Sequence, residues 1–151
     1  MAELQVGQTI TTASRTLTRV ETIGFARAFD PQPMHVDEDA ANAGFFGTLT
    51  ASGWHALALT MRLVVEAKPF GDAPMIGAEL KNIRFARPIK PDTELSVRVT
   101  FDAIEEKNGA NAYNLLSVET VDAISGDTLI KQTWRMLRAQ GSGLVEVARL
   151  S

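Results

Sequence analysis

The sequence predicts an α+β fold in which an antiparallel sheet curls around one long helix, and three observations carry that prediction. The segment Gly53 to Ala67, GWHALALTMRLVVEA, is apolar over almost its whole circumference, so it should be buried on most sides. Near residue 70 the chain changes to strand signals, and TELSVRVTFDA alternates Leu95, Val97, Val99, Phe101 and Ala103 with polar residues, the period of a strand with one buried face. Asn108-Gly109 and, more weakly, Ser125-Gly126 supply hairpin turns, so strands near 93–105, 111–123 and 128–138 should form an antiparallel meander. A buried helix followed by long strands is satisfied when the sheet covers the helix.

The elements follow in order. TITTASRTLT is rich in β-branched threonine and reads as a short strand. Thr18 and Glu21 stand three apart before TIGFARAF, the spacing in which hydroxyl and carboxylate reciprocally satisfy the free amides of a first turn, so a helix over 19–29 follows. Pro31 disfavours the α conformation at Asp30, which stops the helix and leaves that carboxylate at its end. Asp37, with Glu38 and Asp39 behind it, is set to cap a further short helix through Ala43, and His35 is thereby placed between two helices. In the long helix Trp54, Leu57, Ala58, Met61, Val64 and Val65 repeat at helical spacing, while His55, Arg62 and Glu66 form a narrow polar stripe. A strand at MIGAELKNIRFA then joins the meander through RPIKPD.

Composition excludes several classes. A chain of 151 residues with 45% apolar content and no internal repeat is the size of one domain, expected to span 1–151. The formal charge of −3 and the absence of a basic run argue against a nucleic-acid partner. There is no cysteine, and the start lacks the basic and apolar blocks of a signal peptide, so a cytoplasmic location is the expectation. ALALTMRLVVEA is broken by Arg62 and falls short of a membrane span. Two histidines without a cysteine make a metal site unexpected.

Asp30 and His35 carry the chemistry that remains. The run Asp30-Pro31-Gln32-Pro33-Met34-His35-Val36-Asp37, followed by Ala40 and Ala41, resembles the motif of the MaoC-like dehydratases and (R)-specific enoyl-CoA hydratases. GTLTASGWHALAL and NIRFARPIKPDTEL agree with two further blocks of that family in order and spacing, and the similarity runs from about Ile10 to Arg138. Departures are Gln32 where many members have asparagine, Phe29 where many have glycine, and Pro91 where many have a glycine before the aspartate matched by Asp92. The resemblance implies a single hot-dog domain, a curved sheet wrapped around a central helix. It also implies hydration of a 2-enoyl thioester to the (R)-3-hydroxyacyl thioester, or the reverse dehydration.

That reaction needs a group to take a proton from water, a group to protonate C2, and donors for the charge that builds on the thioester oxygen. Asp30 and His35 are the candidates for the first two. Five extended residues span roughly 17 Å, so the chain must bend at the prolines for both to touch one water. The free first amides of the helix starting near Gly53 suit the third need, and a glycine lets a carbonyl approach, which makes the Gly53 amide the candidate oxyanion donor. No separate cofactor is implied, coenzyme A entering as part of the substrate. Arg84, Arg87 and Lys90 lie close together in sequence, where they either attract a carrier phosphate or form a solvated strand edge. The resemblance implies a homodimer or higher homo-oligomer, with sheets paired edge to edge.

Each residue has a plainer role. Alone, Asp30 is a helix end, His35 a backbone-bonded histidine and Gly53 a close-packing residue; the three matching blocks together tip the balance. His55 reads as a half-solvated side chain, and Trp54 and Met61 as core or pocket lining. Two other functions suit the fold: a hot-dog acyl-CoA thioesterase, whose acid lies on or near the central helix where this chain has no carboxylate before Glu66, and a non-catalytic acyl-thioester-binding subunit.

Overall fold

Alternation along three strands builds the core of this protein. Its computed structural model describes residues 3–106 and 111–138. The strands are β1 (Thr9–Thr11), β2 (Arg15–Leu17), β3 (Ile76–Phe85), β4 (Thr93–Glu106), β5 (Ala112–Asp122) and β6 (Thr128–Leu137). The helices are α1 (Arg19–Phe29), α2 (Pro33–Val36), α3 (Glu38–Asn42) and α4 (Gly53–Ala67). Leu95, Val97, Val99 and Phe101 of β4, Leu116 and Val118 of β5, and Ile130, Trp134 and Met136 of β6 share one buried cluster with Ala56, Leu59, Leu63 and Val64 of α4. Each such side chain removed from water contributes about 1.5–3 kcal/mol for the larger apolar types, so this face fixes the strand register. One polar contact crosses the layers: Thr60 Oγ1 donates to the Ala56 carbonyl at 2.7 Å, which leaves the Thr120 hydroxyl to donate to Thr60 at 2.6 Å.

The sheet runs β1-β4-β5-β6-β3 with β2 also paired to β4, all pairs antiparallel. The hot-dog arrangement of curved sheet and central helix is therefore present. The meander of β4, β5 and β6 is as expected, and the Asn108-Gly109 turn between the first two lies outside the described residues. Strand β3 does not join β4, to which it is connected; it crosses to pair with β6 and ends the sheet order.

Three local expectations are corrected. The N-terminal strand is two strands, because Thr11 opposes Arg98 whereas Arg15 opposes Leu95, which leaves one extra residue between them. The Thr18 hydroxyl accepts from the Glu21 amide at 3.2 Å as the α1 cap, but the Glu21 carboxylate turns to Arg15 at 3.4 Å instead of completing a reciprocal box. Helix α4 has the expected limits, yet it buries one face only. His55, Ala56, Leu59, Thr60, Leu63 and Val64 are buried, while Trp54 is 69% and Val65 49% exposed. The sheet covers α4 from the β4 side, and so His55 leaves the supposed polar stripe to stack on Phe25 of α1, with ring centroids 4.6 Å apart.

Candidate functional site

Helix α1 delivers Asp30 to the site. Its amide closes the helix on the Ala26 carbonyl at 2.8 Å, and Pro31 turns the chain away. The turn is tighter than the sequence suggests: Pro33–Val36 form a single helical turn, so His35 lies within a helix and not between two. Proline at the first helical position favours this, since its fixed φ suits the turn and its missing N–H was not needed there. Asp37 then caps α3 as expected, its Oδ1 accepting from the amides of Asp39 and Ala40 at 3.0 and 3.2 Å.

The bend brings His35 Nε2 to 3.4 Å from Asp30 Oδ2. The other ring nitrogen, Nδ1, is 2.6 Å from the Thr50 carbonyl. A carbonyl only accepts, so Nδ1 carries the proton, and in the neutral ring Nε2 presents a lone pair toward Asp30. A lone pair and a carboxylate oxygen do not bond to each other, but both accept from one water. The His35 side chain is 7% and that of Asp30 18% exposed, which leaves the carboxylate as the more accessible of the two.

Asp30 is held at both oxygens. Gln32 Nε2 donates to Oδ1 at 2.7 Å, and the Ser52 hydroxyl donates to Oδ2 at 2.7 Å. The Gln32 bond, then the Ser52 bond, hold its carboxyl below the usual carboxylate range; partial burial opposes them and the nearby His35 ring adds to the lowering. Gln32, in place of the more usual asparagine, still reaches the carboxylate. Ser52 is fully buried, and its oxygen also accepts from the Trp54 amide at 3.3 Å, capping α4. Sequence reasoning missed Ser52 and the Thr50 carbonyl. A serine just before a helix is a visible cap signal, but its second bond reaches 22 residues back along the chain.

Asp30, His35 and Gly53 line one cavity of about 470 Å³ whose remaining wall is mainly apolar, with Met34, Phe46, Trp54, Leu57, Ile83 and Phe85 contributing. Gly53 is the first residue of α4, and its amide has no acceptor among the described residues. The geometry thus gathers the three residues singled out from sequence around one space. It separates the three cations: Arg87 lines this cavity and pairs with Asp127 at 3.3 Å, whereas Arg84 lines a different depression beside Lys131, and Lys90 is exposed and lines neither. Among the described residues no cluster of three or more acidic or histidine side chains is arranged to hold a metal ion, and no helix is long and apolar enough to cross a membrane.

The chain thus combines a hot-dog fold with an acid–imidazole pair beside a helix N-terminus, and comparison with known proteins identifies its family. The family model for the MaoC like domain matches residues 2–122, and the chain belongs to this MaoC-like dehydratase family. YdeM, an uncharacterized protein of Bacillus subtilis, is 34% identical over 116 residues, covering 77% of this chain and 81% of that protein. The crystal structure of a MaoC-like dehydratase from Rhodospirillum rubrum superposes with a TM-score of 0.82 at 34% identity, over 89% of this chain and 92% of that one. An R-hydratase of Pseudomonas aeruginosa shares the fold, with a TM-score of 0.73 at 21% identity over 89% of this chain and 81% of that one.

Proposed function

We propose that the protein is a hydro-lyase that interconverts a 2-enoyl thioester, as its coenzyme A ester, with the (R)-3-hydroxyacyl thioester. The observation that carries this reading is the Asp30–His35 pair, 3.4 Å apart at the polar end of an apolar cavity, with the imidazole proton pinned to Thr50. A water bridging Asp30 Oδ2 and His35 Nε2 has both hydrogens engaged and a lone pair free to attack C3. As the C3–O bond forms, the water O–H bond breaks and its proton passes to the pair, which returns a proton to C2. Both transfers are assigned to the pair jointly, since Asp30 Oδ2 and His35 Nε2 reach the same water. Negative charge that builds on the thioester oxygen is met by the Gly53 amide, the first and unpaired donor of α4, assisted by the helix dipole.

The wall of the cavity favours an uncharged acyl chain, and Arg87 is the cation we assign to the carrier end. Hydration is favoured over thioester hydrolysis because Asp30 is the one carboxylate lining the cavity among the described residues. Glu66 is exposed and bonded to Arg62 at 2.6 Å. Among the described residues strand β3 has one unpaired edge and exposes Leu80, Ile83 and Phe85, a surface suited to a second copy of the chain. A monomeric mass at micromolar concentration would count against that assembly.

The test is loss of enoyl-thioester absorbance with crotonyl-CoA. Asp30→Asn and His35→Ala should each remove most of the activity while retaining the circular dichroism of the wild type. Turnover by the double variant, or release of free thiol without hydration, would overturn the reading.

A further inference from the structure

Gly53 has a second property that its place in the helix does not explain. Its backbone lies outside the left-handed region, so any residue could adopt its conformation. What excludes a side chain is Phe85: a Cβ built on Gly53 would lie 2.6 Å from Phe85 Cε1, 2.9 Å from Cζ and 3.3 Å from Cδ1. The ring therefore rests directly on the Gly53 Cα. Phe85 is the last residue of β3, opposite Ile130, and the next amide, that of Ala86, is tied to the Leu129 carbonyl at 2.8 Å. The backbone carrying the ring is thus fixed, although the ring itself is 54% exposed and lines the cavity.

We infer that Phe85 is a specificity-determining residue that restricts the site to acyl thioesters carrying no substituent at C2. The inference rests on Gly53 as the carbonyl donor. An oxygen accepting from the Gly53 amide at about 2.9 Å places C2 roughly 4–5 Å from that nitrogen. One face of the acyl group is committed to Asp30 and His35, where water adds and a proton is returned. A C2 substituent lies in the plane of the enoyl group, and in a pose that seats the carbonyl on the Gly53 amide the Phe85 ring, resting on Gly53, takes the space beside C2 into which a methyl group would project. Because its backbone is tied to β6, the ring can make room for a methyl group only by swinging off the start of α4.

The experiment compares crotonyl-CoA with 2-methylcrotonyl-CoA in the wild type, Phe85→Ala and Phe85→Leu, reading the ratio of the two kcat/KM values so that intrinsic reactivity cancels between proteins. Phe85→Ala should shift that ratio toward the 2-methyl substrate about tenfold or more, with Phe85→Leu between. A parallel arm titrates butyryl-CoA and 2-methylbutyryl-CoA, which cannot be hydrated, following the fluorescence of Trp54, exposed and cavity-lining where Trp134 is buried. Ratios unchanged in both arms for folded variants, or binding of neither analogue, overturn the proposal. Selective binding that is lost in Phe85→Ala without turnover of any enoyl thioester would instead sink the hydratase reading and leave the role of Phe85 standing.

Discussion

Removing the Ser52 hydroxyl separates the parts played by Asp30 and by the helix behind it. Ser52→Ala deletes two contacts of one buried oxygen, the donor to Asp30 Oδ2 at 2.7 Å and the acceptor for the Trp54 amide at 3.3 Å. A lost N-cap costs about 0.5–2 kcal/mol and a lost bond to a charged acceptor about 1.5–3 kcal/mol; the two share an atom and do not add in full. A net loss of about 2 kcal/mol corresponds to roughly 4–8 °C in Tm for a chain of this size. Asp30 also loses its second largest source of pKa lowering, so its carboxyl rises toward the ordinary 3.8. A depressed carboxylate stabilises the folded state above its unfolded pKa, and that contribution is lost as pH falls through the folded value. The stability gap between wild type and variant should therefore be full at neutral pH and shrink below about pH 4. In catalysis the acid limb of kcat/KM should move to higher pH, because the carboxylate is protonated sooner. Misplacement of the carboxylate should also lower kcat about 10–100-fold at neutral pH. The assay is crotonyl-CoA absorbance across the pH range, with Ser52→Thr as the variant that keeps a hydroxyl. An unshifted acid limb and an unchanged kcat in Ser52→Ala would refute the argument that Ser52 tunes Asp30.

Other substitutions read other parts of the structure. Gly53→Ala sets a Cβ against the Phe85 ring and should cost about 1–3 kcal/mol with loss of activity, and Phe85→Ala in the same chain should return most of the stability in a thermal double-mutant cycle. Thr60→Val strands the buried Thr120 hydroxyl and should cost about 1–3 kcal/mol, more than the Thr60→Val/Thr120→Val pair, as urea midpoints would show. Burial holds His55 below its usual imidazole value of 6.5, opposed by Glu21 and reinforced by Arg15. The unfolded chain then binds the proton more readily, so stability should fall as pH drops below about 6.5, and His55→Phe should flatten that slope in urea melts.

The features legible from sequence were those decided locally. The limits of α4, the Asp37 cap and the alternation of β4 depend on neighbours within one or two turns or one strand, and each was readable. The solvent side of α4 was not, because periodicity gives the width of an apolar surface but not which part of it the sheet covers. His55 shows the cost: polar by type, it is 8% exposed because α1 lies across it, a tertiary fact. The place of β3 beside β6 was hidden for the same reason. Within the candidate site, Asp30 and His35 were singled out by motif spacing and Gly53 by its place at the start of α4, whereas Ser52 and the Thr50 carbonyl make contacts across long sequence separations that no local pattern encodes.

Four consecutive residues, Thr50 to Gly53, orient the imidazole, anchor the carboxylate and offer the free amide, while the amides of Thr50 and Ala51 are clipped to Met34 and Ile89 at 3.1 and 2.8 Å. This tetrapeptide behaves as a ruler whose graduations are single residues. Inserting or deleting one residue inside it would misregister all three functions together, whereas the exposed Gly44–Gly47 stretch, which carries the cavity-lining Phe46 but none of those three contacts, should take a change of length without misregistering them. Divergence in what the site accepts is then channelled into the walls around the ruler, and its own length is the dimension that cannot drift.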